Sequence, residues 1–388
     1  MRRLTTVLVV TVLTVASAVV ALEVGLRVMG IGSDALMQPH PWCGWVHTPG
    51  RRGSVESEDR SLGRQMAIAI DSLGLRDVER RREKPPGAYR VALIGDSFVE
   101  AQQVPLDSSL SRRLERRLAG TAGRNVEVWN CGVSGYSTCQ EWMYLRHVAS
   151  AFHPDLVVLA FLAGNDVADA VPEHATSLRN RPFFHFAGSG DSLVMDRSQF
   201  RPDPPGVRWL RAHSRAFAWA STLRQRLRMG AQQRAALADT SHDVPDDLQI
   251  YAVTPDSSWA LAWRLCERQI LETRDDARRI GAGFLLVTIS GGAQESPNGR
   301  AGSSAWHRWE GRPEIAIDEP EQRLVRLAEA NGIDHVELLE AFRAAQAKDG
   351  VPRHIGWVAH WNSAGHALAA DVLAPRIAAI IAKADSVR

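Results

Sequence analysis

Residues 91–98, which read Val-Ala-Leu-Ile-Gly-Asp-Ser-Phe, decide the fold expected for this chain. A short apolar run that ends at turn residues, here Gly95-Asp96-Ser97, is typical of a strand buried on both faces. The residues that follow carry leucines at fourfold spacing among arginines, at Leu106, Leu110, Leu114 and Leu118. The stretch therefore predicts a strand, a tight turn and a helix.

The same alternation of strand and helix continues along the chain. Further strands are predicted at 126–129, 155–161, 284–289 and, more weakly, 333–339. Helices are predicted at about 138–152, 258–280, 320–330 and 362–382. Strands that alternate with helices indicate an α/β fold, with a doubly wound, parallel five-stranded sheet in the middle of three flavodoxin-like layers.

Three polar residues follow the ends of predicted strands. Ser97, Gly135 and Asn165 each come just after an apolar run. In doubly wound sheets ligands lie at the carboxyl ends of the strands. We therefore expect these three residues, distant in sequence, to converge on one crevice.

Composition excludes several classes of protein. The chain has 388 residues, 45% of them hydrophobic and 23% charged, which is enough to bury a full core and excludes a wholly disordered chain. Its formal charge of +2 does not favour nucleic acid as a partner. The four cysteines include no Cys-x-x-Cys pair, so a structural zinc is not expected. No cofactor is expected either.

The N-terminus predicts a single-pass membrane anchor. Leu4 to Leu22 are nineteen uncharged residues, long enough to span a bilayer, and Arg2-Arg3 precede them. By the positive-inside rule these arginines hold the N-terminus in the cytoplasm, so the bulk of the chain is expected to be extracytoplasmic, in the periplasm. Ala16-Ser17-Ala18 also fits a signal-peptidase site, so secretion after cleavage near Ala18 is the alternative.

Four parts of the chain are predicted. Residues 1–32 form the anchor, 33–88 a leader segment packed on the domain, 89–166 with 258–388 the α/β domain, and 167–257 an inserted, mainly helical cap. In the cap, an apolar stripe of helical spacing runs from Trp209 to Leu227 beside several arginines. Such a helix can rest on anionic lipid, but more commonly its stripe covers the core and its basic face is solvated.

The motifs together resemble the SGNH hydrolase superfamily, the GDSL-type esterases and lipases, and are closest to its membrane-anchored bacterial members. Gly95-Asp96-Ser97 matches the nucleophile block of that superfamily, Gly135 the glycine block and Gly164-Asn165-Asp166 the asparagine block. His360 matches the C-terminal histidine block. The four blocks occur in family order. The resemblance implies a serine hydrolase acting on esters, with Ser97 as nucleophile and His360 as base.

The chemistry of these roles can be stated from the residues. A serine hydroxyl is a weak nucleophile and needs an adjacent base. An oxyanion needs donors, here the backbone N–H groups of Ser97 and Gly135 and the side-chain amide of Asn165, with Asp96 and Asp166 in support. Glycine at 135 lets the backbone approach the substrate without a Cβ.

His360 is preferred as the base over two other histidines. It stands in a predicted loop before the last helix, where a side chain can project over the strand ends. His366 falls inside that helix, and His354 is an outside rival. The six-residue spacing of these histidines places no two on one helix face, which argues against a metal site.

One position departs from the family pattern. The usual Asp-x-x-His acid would stand at 357, where this chain has Trp357. A backbone carbonyl that holds the imidazole, or a carboxylate from elsewhere such as Asp349 or Glu340, is a candidate substitute for that acid. A Ser97–His360 dyad is therefore expected.

The function expected is an extracytoplasmic esterase that removes small acyl groups, such as O-acetyl, from envelope carbohydrate or lipid, or transfers them to a sugar hydroxyl. The alternative is a catalytically silent carbohydrate-binding or assembly component, favoured by Trp357 and by twelve tryptophans that can stack on sugars. A second Gly-Asp-Ser-Leu at 190–193 has no predicted strand before it and is expected to be a loop.

Overall fold

The structure is a computed structural model. It describes residues 2–32, 34–175, 180–188, 190–200, 203–224, 227, 244–296, 300, 304–357 and 360–386. The strands are β1 Met37–His40, β2 Gly44–His47, β3 Arg52–Glu56, β4 Gln65–Ala69, β5 Tyr89–Gly95, β6 Val126–Gly132, β7 Leu156–Leu162, β8 Phe183–Phe186, β9 Leu193–Asp196, β10 Gly283–Ile289 and β11 Asp334–Glu337.

The helices begin with the N-terminal apolar segment and end near the C-terminus. They are α1 Arg2–Val28, α2 Ser97–Glu100, α3 Leu110–Leu118, α4 Thr138–His147, α5 Ala163–Asp166, α6 Pro205–His213, α7 over 215–224, α8 Ser257–Arg279, α9 Gly292–Glu295, α10 Ser304–Trp309, α11 Glu319–Asn331, α12 Leu339–Asp349 and α13 Ser363–Ser386.

The central sheet confirms the predicted fold class. Five strands lie in the order β11-β10-β7-β5-β6, and all neighbouring pairs are parallel. Apolar side chains of α4, α8 and α11 pack on one face, and those of α3, α12 and α13 pack on the other. The fold is therefore a doubly wound three-layer α/β structure, because each strand buries both faces.

Strand register sets the position of the site. Gly95 at the end of β5 pairs with Gly132 of β6 on one side and with Ala160 of β7 on the other. The loops after these three strands consequently leave the sheet at one height, which brings the segments that carry Ser97, Gly135 and Asn165 side by side.

Two antiparallel hairpins form the leader, and the cap contains more than helices. The leader pairs β1 with β2 and β3 with β4. The cap was expected to be mainly helical, but it includes the hairpin β8–β9 beside α6 and α7. Phe183–Phe186 contains three aromatic residues, which favour strands, and the adjacent Phe183 and Phe184 are both buried.

The apolar stripe of the cap does not cover the core as expected. Only Ala216 of the stripe is buried, whereas Trp209 is 61% exposed and Leu223 is 41% exposed. The helix is also interrupted at Ser214, whose backbone is extended. The prediction of a core-covering stripe is wrong, because the helix breaks at Ser214 and the segment after it is bonded to Glu23 of α1 and, through Arg215, to Asp34 of the leader rather than packed on the sheet.

Helix α1 is long and apolar enough to cross a membrane. It has 27 residues, its mean hydropathy reaches 2.5, and none of its apolar window is buried in the protein. Its last turns contact the folded chain, where Leu26 is buried. The N-terminal helix is thus joined to the domain at one end only.

Candidate active site

Ser97 lies at the first position of α2, directly after the end of β5. The carboxylate of Asp96 caps this helix by accepting a hydrogen bond from the Phe98 N–H, 2.8 Å away. The helix packs so closely on the end of β6 that a Cβ at Gly132 would lie 2.3 Å from the Glu100 nitrogen. A glycine at 132 therefore permits the turn that holds Ser97 half-buried at the sheet edge.

His360 and Ser97 are in hydrogen-bond contact. The Nε2 atom of His360 lies 2.7 Å from the Ser97 Oγ. The loop before α13 is held by the Ile355 N–H, which donates to the His360 carbonyl at 2.9 Å. The imidazole also lies against the Phe98 ring, with 5.1 Å between centroids. The serine is thus paired with a base in reach of its proton.

The carboxylate that orients His360 comes from the leader. Glu58 Oε2 lies 2.9 Å from the His360 Nδ1, on the side of the ring opposite Ser97. The residue follows β3 by two positions and stands 302 residues before the histidine. The arrangement is a Ser97–His360–Glu58 triad rather than the expected dyad.

The carboxylates proposed from the sequence are engaged elsewhere. Asp349 pairs with Arg353 at 2.7 Å, and Glu340 pairs with Arg343 at 3.0 Å. Both lie on α12, and their nearby arginines hold them at the surface of that helix. A carboxylate from elsewhere does lie at the imidazole, but it is Glu58, so the expectation of Asp349, Glu340 or a backbone carbonyl in that place is wrong.

The electrostatics of the pair favour the imidazolium. Burial lowers the pKa of His360, but the hydrogen bond and charge of Glu58 outweigh it, and the net pKa is raised. Burial raises the pKa of Glu58, but the hydrogen bond and charge of His360 lower it by more, so the net pKa is lowered. Glu58 therefore stays ionised, and a carboxylate in this position can stabilise a positive charge on His360.

Gly135 provides a backbone N–H beside the triad. Its φ is +78°, a left-handed conformation that favours glycine. Arg181 donates to its carbonyl at 2.8 Å and so fixes the peptide. Among the described residues, no acceptor takes the N–H of Gly135 or that of Ser97. Both N–H groups are therefore left without an acceptor in the described structure, as the donors of an oxyanion site must be.

The Asn165 amide is turned differently from expectation. It donates to Asp96 Oδ2 at 2.7 Å and to the Tyr136 carbonyl at 3.3 Å. Both of its hydrogens are therefore directed at protein acceptors. The longer of these two bonds is the weaker, so the hydrogen facing Tyr136 is the one that a stronger acceptor could take.

Buried carboxyl groups lie under this turn. Burial raises the pKa of Asp96, and it raises the pKa of Asp166 and Glu141 well above the usual range, with mutual charge repulsion adding to the effect. Asp166 accepts a hydrogen bond from the Leu162 N–H at 2.7 Å. Asp96 and Asp166 thus support the backbone turns from which Ser97 and Asn165 project.

A second glutamate–histidine pair lies behind the serine. Glu100 Oε1 accepts from His47 Nε2 at 2.7 Å, and its Oε2 accepts from the Ser134 N–H at 2.5 Å. Burial raises the pKa of Glu100, but the charge and hydrogen bond of His47 dominate and lower it to about 2. The pair therefore ties β2 of the leader to the segment that carries Gly135.

The other two histidines near the site cannot act as the base, because one is bonded to a glutamate and the other is buried. His354 lies 2.9 Å from Glu295, and His366 is buried, where burial lowers its pKa to about 3. No group of three or more potential metal ligands occurs among the described side chains. The second Gly-Asp-Ser-Leu runs into β9 from the loop between β8 and β9, and its Ser192 is exposed.

A cavity of about 570 Å³ lies next to the triad. Ser134 is in its wall on the α/β side, and Glu58, Trp45 and Leu36 belong to the leader part of the wall. Residues of α6 and α7 complete it, namely Arg211, Ala218 and Thr222. The cap therefore forms part of the cavity beside the proposed reaction centre.

No protein-family model matches this chain, and no curated protein matches it. Solved structures of similar fold include acetylxylan esterase Axe2 from Geobacillus stearothermophilus, at 11% identity over 74% of this chain and 94% of that chain, with a TM-score of 0.41. The acetyl xylan esterase AlAXEase is 14% identical over 74% of this chain and 99% of that chain, with a TM-score of 0.39. A lipase/acylhydrolase from Enterococcus faecalis is 14% identical over 75% of this chain and 96% of that chain, with a TM-score of 0.37.

Proposed function

We propose that this protein is a serine esterase of the SGNH type, which hydrolyses or transfers small acyl groups through Ser97, His360 and Glu58. The observation that carries the proposal is the continuous hydrogen-bonded line from Ser97 Oγ through the imidazole to Glu58, with bonds of 2.7 and 2.9 Å. A nucleophile, a base and an orienting carboxylate in one line are what acyl transfer requires.

The proposed reaction proceeds in two halves. Ser97 Oγ attacks the ester carbonyl while His360 Nε2 takes its proton, and the oxyanion is held by the N–H groups of Ser97 and Gly135. The imidazolium then protonates the leaving alcohol as the C–O bond breaks, which leaves an acyl-Ser97. A water or an acceptor hydroxyl then attacks the acyl carbonyl and gives its proton to His360. The imidazolium returns a proton to Ser97 Oγ as the acyl–oxygen bond breaks, and the acid, or the new ester, leaves.

Asn165 has a conditional role in this scheme. Its hydrogen toward Tyr136 is held by a bond of 3.3 Å. A full negative charge is a stronger acceptor than a peptide carbonyl, so the developing oxyanion can draw that hydrogen away. Asn165 is thus the proposed third donor, engaged in the transition state.

The proposed location is the outer side of the cytoplasmic membrane, with α1 as an uncleaved single-pass anchor and Arg2-Arg3 in the cytoplasm. The proposed substrate is an ester, such as an O-acetyl group, on envelope carbohydrate or lipid. No cofactor or nucleic acid takes part. Position 357, where the family carries its acid, favoured a catalytically silent carbohydrate binder, and Glu58 at His360 removes that reason.

The test is ester turnover by the full chain with p-nitrophenyl acetate and butyrate. Ser97→Ala and His360→Ala are each expected to lower kcat by about 10³-fold or more, since the residues act as a unit. Ser192→Ala is the matched control, because the same Gly-Asp-Ser sequence surrounds it in an exposed cap loop. Equal background rates in all four proteins would favour the silent binder.

A further inference from the structure

The end of α1 is bonded to the start of α7 in the cap. The Glu23 carboxylate accepts from the N–H groups of Arg215 and Ala216, at 3.0 and 2.9 Å, and from the Ser214 hydroxyl at 2.9 Å. Arg27 donates to the His213 carbonyl at 2.8 Å. Negative charge at a helix N-terminus is favourable, so Glu23 caps α7 from another helix and fixes α6 and α7 against the end of α1.

These contacts set the level of the cap relative to a bilayer. The uncharged residues 4–22 of α1 extend for about 28 Å, close to the thickness of the hydrocarbon layer. With α1 spanning, Glu23 stands at the boundary of that layer and Arg27 about 6 Å further out. The segment 213–216 bonded to them therefore lies at the level of the lipid headgroups.

This part of the cap exposes large apolar side chains. Outside α1, thirteen large apolar residues of the described chain are exposed, and five of them fall within 209–227: Trp209, Leu210, Trp219, Leu223 and Leu227. Five exposed large apolar residues within residues 209–227 are a concentration that favours an interaction surface over scattered surface residues.

The two tryptophans of the cluster are close to the end of α1. Trp209 lies one helical turn before His213, whose ring stacks on it at 5.0 Å between centroids. The Trp219 Cβ lies 3.7 Å from the Cβ position of Gly32, just beyond α1. Tryptophan concentrates at membrane–water interfaces, where its ring is partly apolar and its N–H is hydrated.

Arginines surround the cluster. Arg208 and Arg224 are exposed on the same two helices, and Arg64 of the leader donates to the Met29 carbonyl at 3.4 Å. Exposed arginines beside an apolar surface are suited to the phosphates of anionic lipid.

We propose that α6, α7 and the end of α1 form a lipid-facing surface that inserts into the interface of an anionic bilayer. The proposal rests on the membrane anchor of the proposed function. The occupant is the bilayer itself, because the surface continues directly from the segment that spans it and combines interfacial tryptophans with arginines.

The proposal gives the substrate a source. Gln65 donates to the carbonyls of Gly30 and Gly32 beyond α1, the latter at 3.2 Å, and Gln65 is paired with Glu56 across β3–β4. Glu58, two residues further along the chain, therefore lies in the loop of the same hairpin that contacts the segment leaving the membrane. The triad consequently lies close to the lipid surface and takes an amphiphilic ester presented there.

The test measures insertion depth in the full chain, reconstituted into vesicles of equal parts phosphatidylcholine and phosphatidylglycerol. Leu223→Cys and the matched Leu261→Cys, 41% and 42% exposed in the wild type, are labelled with an environment-sensitive fluorophore. The four native cysteines are buried. Val12→Cys in α1 reports the anchor. Acyl-chain-brominated lipid is expected to quench the label strongly at 12, clearly at 223 and not at 261.

Equal signals at 223 and 261, with quenching at 12, would overturn the lipid-facing surface and leave the anchor intact. Absence of quenching at 12 would overturn both. Equal depth at 223 in vesicles of phosphatidylcholine alone would overturn the part assigned to the arginines. Turnover of p-nitrophenyl acetate in the same samples tests the esterase separately, because neither Leu223 nor Leu261 belongs to the triad.

Discussion

Two glutamate–histidine pairs join the leader to the α/β domain, and they are built in opposite senses. In one, the leader supplies the carboxylate of Glu58 and the domain supplies His360. In the other, the domain supplies Glu100 and the leader supplies His47. The first pair is accessible, with side chains 37% and 26% exposed, whereas the second is at most 1% exposed.

The difference in exposure indicates that the accessible pair takes part in the reaction and that the buried pair stabilises the fold. An accessible pair contributes little to folding, because water screens it, but it can exchange protons with a substrate. A buried pair cannot meet a substrate, and loss of one partner leaves an uncompensated buried charge or polar group. We infer that Glu58–His360 serves turnover and that Glu100–His47 fixes the leader so that Glu58 reaches the imidazole.

The largest effect is expected from Glu58→Gln. The amide keeps the shape but not the charge that stabilises the imidazolium, so kcat for p-nitrophenyl acetate should fall by about 10³-fold. The free energy of unfolding should change by less than about 1 kcal/mol, because the pair is accessible. Parallel assays of turnover and urea unfolding test both statements. Wild-type turnover in this variant would show that Glu58 is not the triad acid.

The same substitution at Glu100 should give the converse result. Glu100→Gln leaves His47 without its carboxylate and should lower the free energy of unfolding by about 3 kcal/mol. The pKa of Glu100 is lowered to about 2 in the folded state, so its ionisation stabilises the fold above the unfolded pKa, and this contribution is lost as pH falls toward 2.

Urea unfolding at pH 7 and pH 3 measures this contribution. The difference in stability between wild type and Glu100→Gln should be smaller at pH 3, where the wild-type contribution is partly lost. A difference that grows on acidification would contradict the assignment. The residual kcat of the folded variant should exceed that of Glu58→Gln.

Much of the architecture was predictable from local sequence. The five strands and the turns after three of them depend on contiguous apolar runs and on residues such as Gly95 and Gly132, whose roles are local. The acid was not predictable, because Glu58 belongs to a small leader hairpin and its approach to His360 depends on tertiary packing. One signal was present: an acidic Glu56-Ser-Glu58-Asp59 cluster between two strand-like segments of the leader.

A smaller effect is expected in the pH profile. His360 must be neutral to accept the serine proton, so kcat/KM falls as pH drops below its raised pKa. In Glu58→Gln the main cause of the raised pKa is removed while burial still lowers it, so the acidic limb should move to lower pH. Titration of kcat/KM in both proteins measures this shift. A limb that stays in place or moves upward would mean that another group sets the pKa of His360.

The smallest effect is expected at Gln103, which donates to the free oxygen of Glu58 across a long 3.5 Å contact. Loss of a hydrogen bond of this length costs at most about 1 kcal/mol, so Gln103→Ala should lower kcat by less than about fivefold. Because this contact also lowers the pKa of Glu58, its removal should raise that pKa slightly and leave the carboxylate at His360. Measuring kcat for the wild type, Gln103→Ala and Glu58→Gln under the same conditions tests this prediction. If the two variants lost activity equally, Glu58 would depend on Gln103 for its position, and the accessible pair would be far more rigidly held than its exposure indicates.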